Sequence, residues 1–176
     1  MVVSLLKWIG IALLVLVLCV ALFFVGMRFH DGPRGLISGG PFTSGELSPP
    51  PEDWQFIKGR DVIEFQTLDP ETSRTVWLGV LDGRLFIVSG YMNTGYGRLW
   101  KQWPHYLEED DRIIVRVDGK LYEQRLERLM AFDRLAELMS IYAEKYGPGL
   151  SGGASAEQLQ AQLTNGDFWL FEVTDR

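Results

Sequence analysis

Residues 75–90 read TVWLGVLDGRLFIVSG, two runs of strand-forming residues separated by the dipeptide Asp82-Gly83. Asp-Gly between two such runs is a strong short-range signal for a β-hairpin, because both turn positions require residues that accept a positive φ. The same order recurs at 112–129, where Asp118-Gly119 separates residues 112–117 from residues 120–129. The sequence therefore predicts two antiparallel hairpins.

Further strands and helices surround the hairpins. Alternation of polar and apolar residues predicts a first strand over 62–67 and a last strand over 167–174, after an Asn165-Gly166 turn. Helical spacing predicts a short aromatic-rich connection over 96–109, in which Pro104 marks a break or a new first turn, and a helix over 131–146. Ser155 and Gln158 have capping-box spacing and predict a helix over 155–163.

Hairpins dominate this order and no long βαβ alternation occurs, so a parallel sheet is not expected. We predict a mainly β (α+β) fold, a small antiparallel split β-barrel with flanking helices. Residues 85–88 are apolar at every position. This pattern is expected where one face of a strand fills a barrel and a helix or a second subunit covers the other.

An apolar segment precedes the barrel. Twenty consecutive uncharged residues, 8–27, lie between Lys7 and Arg28, enough for about 30 Å of helix. A cleaved signal has a shorter apolar core followed by small residues, so we predict a retained transmembrane anchor over 1–30, with residues 8–27 in the bilayer. Cys19 as a lipidation site is the disfavoured alternative, because Leu18 precedes it and apolar residues follow it.

The charge rule leaves the orientation open, since Lys7 lies on one side of the span and Arg28 and Arg34 lie on the other. An early span followed by one folded domain is the usual signal-anchor arrangement. We therefore expect a single-pass cell membrane protein with its C-terminal domain on the extracytoplasmic, periplasmic side.

Residues 31–53 (DGPRGLISGGPFTSGELSPPPED) are rich in Gly and Pro. They are read as a linker to a barrel domain over 54–176. The apolar residues Leu36, Ile37, Phe42 and Leu47 leave open an alternative in which this segment lies in an ordered groove of the domain. The chain carries 17 basic and 23 acidic residues, a balance that argues against a nucleic-acid partner.

Several familiar chemistries are excluded by residue type. His30 and His105 are the only histidines, so we expect no multi-histidine metal site, and no G-x-S-x-G elbow accompanies His105. Gly95-Tyr96-Gly97 begins like a dinucleotide fingerprint, but Trp100 occupies the third glycine position. Residues 90–97 are instead predicted to form a loop at the barrel mouth, where ligand contacts tend to lie.

The order of strand, Asp-Gly turn, strand ending in Ser89, helical insert with Arg98 and Lys101, and second Asp-Gly hairpin resembles a known family. It is similar to the split β-barrel of the pyridoxamine 5'-phosphate oxidase-like and deazaflavin-dependent proteins, over roughly residues 53–146. The resemblance implies a possible FMN or deazaflavin cofactor, a homodimer and oxidoreductase chemistry. Substrate and electron donor stay unknown. The alternative is a non-catalytic, membrane-anchored module that binds a ligand or a protein.

The resemblance also implies site residues. Ser89, Arg98 and Lys101 match the positions that would meet a cofactor phosphate, for which charged donors are required. Trp77, Tyr91, Trp100 and Trp103 are the aromatic residues that could lie beside an isoalloxazine-like ring. A solvated helix face next to the acidic run 108–111 is the other interpretation of Arg98 and Lys101.

Overall fold

The computed structural model describes residues 2–95, 97, 101–149 and 153–176, and the side chains from residue 5 onward. Its helices are α1 (Val2–Met27), α2 (Trp103–Tyr106), α3 (Leu135–Tyr146) and α4 (Ala156–Asn165), with a 3₁₀ turn at Gln55–Ile57. Its strands are β1 (Glu46–Leu47), β2 (Val62–Leu68), β3 (Glu71–Trp77), β4 (Gly79–Leu81), β5 (Arg84–Gly90), β6 (Arg112–Val117), β7 (Lys120–Leu129) and β8 (Phe168–Asp175).

The eight strands form one sheet in the order β3-β2-β6-β7-β8-β5-β4, with β1 added in parallel beside β7. All other neighbours in the sheet are antiparallel. The two ends of this order, β3 and β4, are consecutive in the chain and separated only by Leu78. The sheet therefore curls round on itself as a split barrel, which confirms the predicted fold class.

Both predicted hairpins are present. Leu81 pairs with Arg84 across Asp82-Gly83, and Val117 pairs with Lys120 across Asp118-Gly119. Each turn has a positive φ at both central residues, 50° and 77° in the first and 52° and 75° in the second. These are the angles of a type I′ turn, whose twist matches that of the flanking strands.

The predicted strand over 75–81 is longer than expected and is broken. It begins at Glu71, pairs with β2 as far as Trp77, and after Leu78 pairs with β5 as β4. At the break, the Tyr146 hydroxyl accepts a hydrogen bond from Leu78 N at 3.0 Å and lies 2.9 Å from Leu78 O. A side chain from the end of α3 thus provides the hydrogen bonds that a neighbouring strand would otherwise make to these backbone groups.

The barrel has an interior core and an outer core. Leu85 and Ile87 of β5 and Phe171 of β8 point inward, with Phe65 of β2 and Trp103 of α2. The alternate residues of β5 and β8 point outward and are covered by α3 and α4, through Leu138, Tyr142, Leu159 and Leu163 among others. A helical cover on the second face is one of the two arrangements that the apolar run 85–88 predicted.

The helices agree with the sequence in position. Helix α3 begins at Leu135, four residues later than predicted, because residues 131–134 form a turn in which Leu135 N donates to Phe132 O at 3.1 Å. Helix α4 has the predicted capping box of Ser155 and Gln158 and ends at Gly166 with a left-handed φ of 77°. Pro104 lies in the first turn of α2, so it begins a new helix.

Residues 31–54 lie along the barrel. Ser73 Oγ donates to Gly40 O at 2.6 Å, and Phe42 N donates to Gln66 Oε1 at 2.6 Å. Strand β1 is held by Glu46 N to Gly119 O at 2.8 Å, and Trp54 N donates to Gly83 O at 2.7 Å. The segment after α1 is thus fixed to β3, β2, β7 and the first hairpin turn in succession.

Helix α1 differs from the rest of the chain. Residues 5–26 are all exposed, whereas Met27 is buried. Within the described residues, α1 is the one helix long and apolar enough to cross a membrane, over residues 5–27.

Candidate functional site

The predicted phosphate residues lie around the segment that follows β5. Ser89 is 1% exposed on the inward face of β5, and its Oγ lies 3.3 Å from Met92 Sδ. Lys101 is half-buried, and burial lowers the pKa of its ammonium group. Arg98 lies outside the described residues, as does Trp100.

Hydrogen bonds connect the described residues Tyr91, Thr94, Gly97 and Lys101. Thr94 Oγ1 donates to Tyr91 O at 2.8 Å and accepts from Gly97 N at 2.9 Å, while Lys101 N donates to Gly97 O at 2.8 Å. A methyl group on Gly97 would collide with the Tyr91 carbonyl oxygen. The sequence predicts a loop here, and the close approach of the Tyr91 carbonyl is the reason that this position is glycine.

Tyr91 is held in an unusual conformation. Its φ is 62°, uncommon for a bulky residue, and its side chain is 62% exposed. The next two residues are bound to the turn between α4 and β8: Met92 N donates to Asp167 O at 3.0 Å, and Asn93 Nδ2 donates to Asn165 O at 2.8 Å. These bonds fix the backbone that presents the exposed tyrosine ring.

The two predicted tryptophans that the structure describes, Trp77 and Trp103, lie in different places. Trp103 is 6% exposed and lies inside the barrel, with ring centroids 5.2 Å from Phe65 and 5.3 Å from Phe171. Trp77 lies on the outside, 48% exposed, and stacks on Tyr146 with centroids 4.6 Å apart. The structure therefore brings Ser89, Tyr91, Lys101 and Trp103 to one end of the barrel and leaves Trp77 with α3.

Arg74 is a cation at this end of the barrel that the sequence analysis missed. It pairs across the strands with the inward-facing Phe65, and its guanidinium carbon lies 5.8 Å from the centre of the Trp103 ring. Burial lowers its pKa to about 10. Its one hydrogen bond among the described residues is from Nη2 to Thr72 Oγ1 at 3.1 Å, and Nε is buried without a partner. Arg74 lies two positions before Val76 and so shares its inward face of the strand. The strand predicted from the sequence starts at residue 75 and therefore leaves Arg74 out.

Two more inward-facing residues of β7 carry unpartnered donors. Gln124 Nε2 and Arg128 Nε are buried and make no hydrogen bond within the described part of the chain. The guanidinium of Arg128 lies 3.4 Å from the centre of the Trp169 ring. The Trp169 ring lies 6.2 Å from Phe171, which also contacts Trp103. A row of aromatic rings thus runs through the barrel with a guanidinium at each end, Arg74 and Arg128.

The neighbouring acidic run 108–111 does not neutralise Arg74 or Lys101. Glu108 lies 3.5 Å from Arg128, Asp110 pairs with Arg112 at 2.7 Å, and Asp111 pairs with Arg125 at 3.1 Å. These carboxylates therefore serve arginines of β6 and β7. Because buried cations favour a counter-charge, the end of the barrel near α2 is suited to an anionic ligand with an aromatic part.

A concavity lies away from this end of the barrel, between residues 31–44 and strands β2 and β6. It is an open groove of about 600 Å³ whose charged lining residues are Asp31, Arg60, Glu64, Arg116 and Asp118. Its charges are paired with one another: Arg116 binds both Asp31 and Glu64 at 2.8 Å, and Arg60 binds Asp118 at 2.5 Å. This groove is the contact between residues 31–44 and the barrel, and we call it the seam. Its charged side chains are paired with one another.

Solved structures resemble the chain in fold. One is a conserved hypothetical protein from Mycobacterium tuberculosis, 15% identical, with 69% of this chain and 76% of that chain covered and a TM-score of 0.45. Another is HutZ, a heme storage protein from Vibrio cholerae, 9% identical over 69% and 86% of the two chains, with a TM-score of 0.42. A FAD-binding protein from Mesorhizobium loti is 14% identical over 68% and 84%, with a TM-score of 0.36.

The sequence matches no protein-family model and no curated protein. The likeness to these solved structures is weak. At these identities and TM-scores it concerns the fold alone, and the topology of the chain itself carries the description of a split barrel.

Proposed function

We propose that this chain is a membrane-anchored split-barrel protein that binds a flavin or deazaflavin at the end of the barrel formed by residues 91–103, and that it serves redox chemistry there. Helix α1 is the anchor. Tyr91 and Lys101, with Arg98 as predicted from the sequence, lie on the ligand, and Arg74 faces it from β3. The Ser89 hydroxyl contacts the sulfur of Met92, the residue that follows Tyr91. The substrate is outside this proposal.

The observation that carries the proposal is the guanidinium of half-buried Arg74, whose Nε is buried without a hydrogen-bond partner among the described residues. A buried cation without a carboxylate is costly unless a counter-charge or hydrogen-bond acceptors compensate it. Aromatic rings at 5.8 and 6.0 Å supply part of that compensation. A phosphate-bearing ligand would supply the acceptors that Arg74 Nε lacks.

The proposed chemistry divides between ligand and protein. A flavin or deazaflavin, when bound, supplies the hydride or electron acceptor. The protein would hold the anionic group with Arg74 and Lys101, present the exposed ring of Tyr91 to an aromatic surface, and keep water from that surface with the packed row around Trp103.

The test is titration of the full chain in detergent with FMN and with a deazaflavin, followed by ligand fluorescence. Arg74→Gln and Lys101→Gln should each weaken binding by about 10- to 150-fold, the equivalent of about 1.5–3 kcal/mol for a hydrogen bond to a charged group. Arg60→Gln is the matched control, because Arg60 pairs with Asp118 in the seam. It should leave affinity unchanged.

Melting curves separate loss of ligand from loss of fold in Arg74→Gln. Lys101→Gln alters a half-buried side chain and keeps the test informative if Arg74→Gln fails to fold. No binding of either ligand by the wild-type chain at high micromolar concentration would sink the proposal.

The second candidate is a non-catalytic anchored module that binds a protein partner, including a second copy of the chain. It is favoured by an apolar cross-strand pair on the outer face of the barrel: Val62 and Trp77 pair at the end of β2 and β3 and are 44% and 48% exposed. Sedimentation of the wild type against Trp77→Ser tests self-association through this face. An unchanged monomer in both would exclude the homodimer.

A further inference from the structure

The segment that follows α1 begins with a tight turn. Phe29 N donates to Gly26 O at 3.1 Å and His30 N donates to Met27 O at 3.2 Å, so turn hydrogen bonds between residues three apart carry the chain past Met27, where the helix ends. Gly40 N then donates to His30 O at 3.0 Å. A methyl group on Gly40 would collide with Arg28 O, so the backbone of residue 40 lies directly against the end of the helix.

Residues 34–37 form a small closed turn beside that helix end. Arg34 N donates to Ile37 O and Ile37 N donates to Arg34 O, both at 3.0 Å. Arg34 Nε lies 3.0 Å from His30 Nε2, and His30 Nδ1 lies 2.9 Å from Gly32 O. The turn is therefore bound to residue 30 through the Arg34 side chain, and the flanking residues Gly32 and Gly40 also bind residue 30, so the turn is held close to where α1 ends.

The turn exposes apolar side chains at this position. Leu36 is 96% exposed and Phe29 is 82% exposed, the two most exposed large apolar residues among those described. Almost none of the Leu36 side chain is covered by other residues of the protein. Arg28 and Arg34 lie in the same stretch of chain, and cations there suit the phosphate groups of lipids.

We propose that the turn at residues 34–37 is a second membrane contact, in which Leu36 enters the acyl boundary of the bilayer beside the exit of α1, with Phe29 at the same level. The proposal rests on the anchor role of α1. Its physical basis is continuity: a bilayer that surrounds the exposed residues 5–26 ends where this turn begins, and burial of apolar side chains in the interface is favourable. The barrel is then fixed to the membrane at two points, which sets its tilt.

The test uses the full chain in vesicles of phosphatidylcholine with phosphatidylglycerol and an environment-sensitive NBD label on single cysteines. Native Cys19 labels the middle of α1. Leu36→Cys in a Cys19→Ser background labels the turn. Asp133→Cys in the same background is the control, because Asp133 is exposed on the connection to α3, away from the segment after α1.

The proposal expects blue-shifted emission at position 36, quenched more by lipids with a nitroxide near the headgroup than by lipids with one near the chain end, and water-like emission at position 133. A label at Cys19 should show the reverse depth preference. Water-like emission at position 36 with a deep Cys19 label would overturn the second contact and leave the anchor standing. A water-like label at Cys19 would overturn the anchor itself. Neither outcome depends on whether a flavin binds.

Discussion

Gly83 and Gly119 occupy the same position in two type I′ turns and differ in what surrounds them. Both have a positive φ, which costs a residue with a side chain about 1–3 kcal/mol. A methyl group on Gly83 would in addition lie 2.9 Å from Asp53 Cβ, whereas one on Gly119 would meet nothing within 4 Å. We expect Gly83→Ala to lower the free energy of unfolding more than Gly119→Ala does.

Denaturant unfolding of the two variants beside wild type measures this difference. The pair forms its own control, since backbone strain is common to both. Equal losses would mean that Asp53 yields without cost, and unchanged stability in both would mean that the turns do not have these backbone angles.

Asp31 makes the seam sensitive to acid. Hydrogen bonds from Ser44 and Thr43 and the charge of Arg116 together lower its pKa from 3.8 to about 2, with Ser44 the largest contribution. Because the folded-state pKa is below the unfolded one, this stabilisation is present above about pH 4 and is lost as the pH falls toward 2. Its magnitude is about 1 kcal/mol after solvent screening.

Melting temperatures at pH 5 and pH 2.5 test the linkage. Asp31→Asn should be less stable than wild type at pH 5, and its difference from wild type should shrink at pH 2.5. Asp133→Asn, at an exposed position, should follow wild type at both values. A constant gap between Asp31→Asn and wild type would show that the ionised carboxylate is not the stabilising form.

Single residues also mark the limit of what the sequence predicts about the site. Ser89, Tyr91, Lys101 and Trp103 could be named because the resemblance to split-barrel proteins implies them, and the structure brings them to one end of the barrel. Their roles as ligand contacts stay predictions. Arg74 could not be named in the same way, since its place inside the barrel depends on pairing with Phe65 and on α2 closing over it.

At the level of elements, the end of α3 binds the chain between β3 and β4, where the two ends of the sheet meet. The Tyr146 hydroxyl binds both backbone groups of Leu78 and lies 2.6 Å from Asp61 O. Tyr146→Phe keeps the stacking on Trp77, removes the acceptor of Leu78 N, and leaves Leu78 O with the longer contact from Lys145 Nζ at 3.3 Å. We expect it to lower the free energy of unfolding by about 1–3 kcal/mol.

Chemical denaturation at pH 8 measures the loss, with Tyr91→Phe as the control because the Tyr91 ring is largely exposed. Alkaline titration adds a second readout. Burial raises the pKa of Tyr146 to about 12, so its contribution is present below about pH 10 and is lost between pH 10 and 12. Between pH 10 and 12 the free energy of unfolding should fall less in Tyr146→Phe than in wild type. Equal falls in the two proteins would show that the Tyr146 hydroxyl does not stabilise the fold through these hydrogen bonds.

Elements whose cause is local were predictable from the sequence. The Asp-Gly turns, the Ser155 capping box and the Pro104 helix start each depend on residues within a few positions of one another. The break at Leu78 depends on Tyr146, sixty-eight positions away. The run 75–81 does not reveal the break, because its β-forming residues suit one long strand equally well.

For the whole molecule, the anchor makes the sharpest prediction. If residues 5–27 span a bilayer, the chain should stay in the membrane fraction through alkaline carbonate washing. Removal of residues 1–27 is the matched control and should release the barrel to the supernatant. A full-length chain released by carbonate would contradict the anchor.

Orientation is a separate question with its own measurement. We expect a reporter joined after Arg176 to lie outside the cytoplasm. A cytoplasmic reporter would reverse the predicted side and leave the anchor intact.

The fixed course of residues 31–54 along the barrel has a consequence for how the domain meets its ligands. A flexible tether of these twenty-three residues before Trp54 would allow an end-to-end distance of about 25–30 Å, so that the domain could search the space above the bilayer. Hydrogen bonds to Ser73, Gln66 and Gly119 remove that freedom. With α1 as the proposed anchor, the search is then confined to two dimensions, and encounters depend on lateral diffusion in the membrane or on molecules that arrive at its surface.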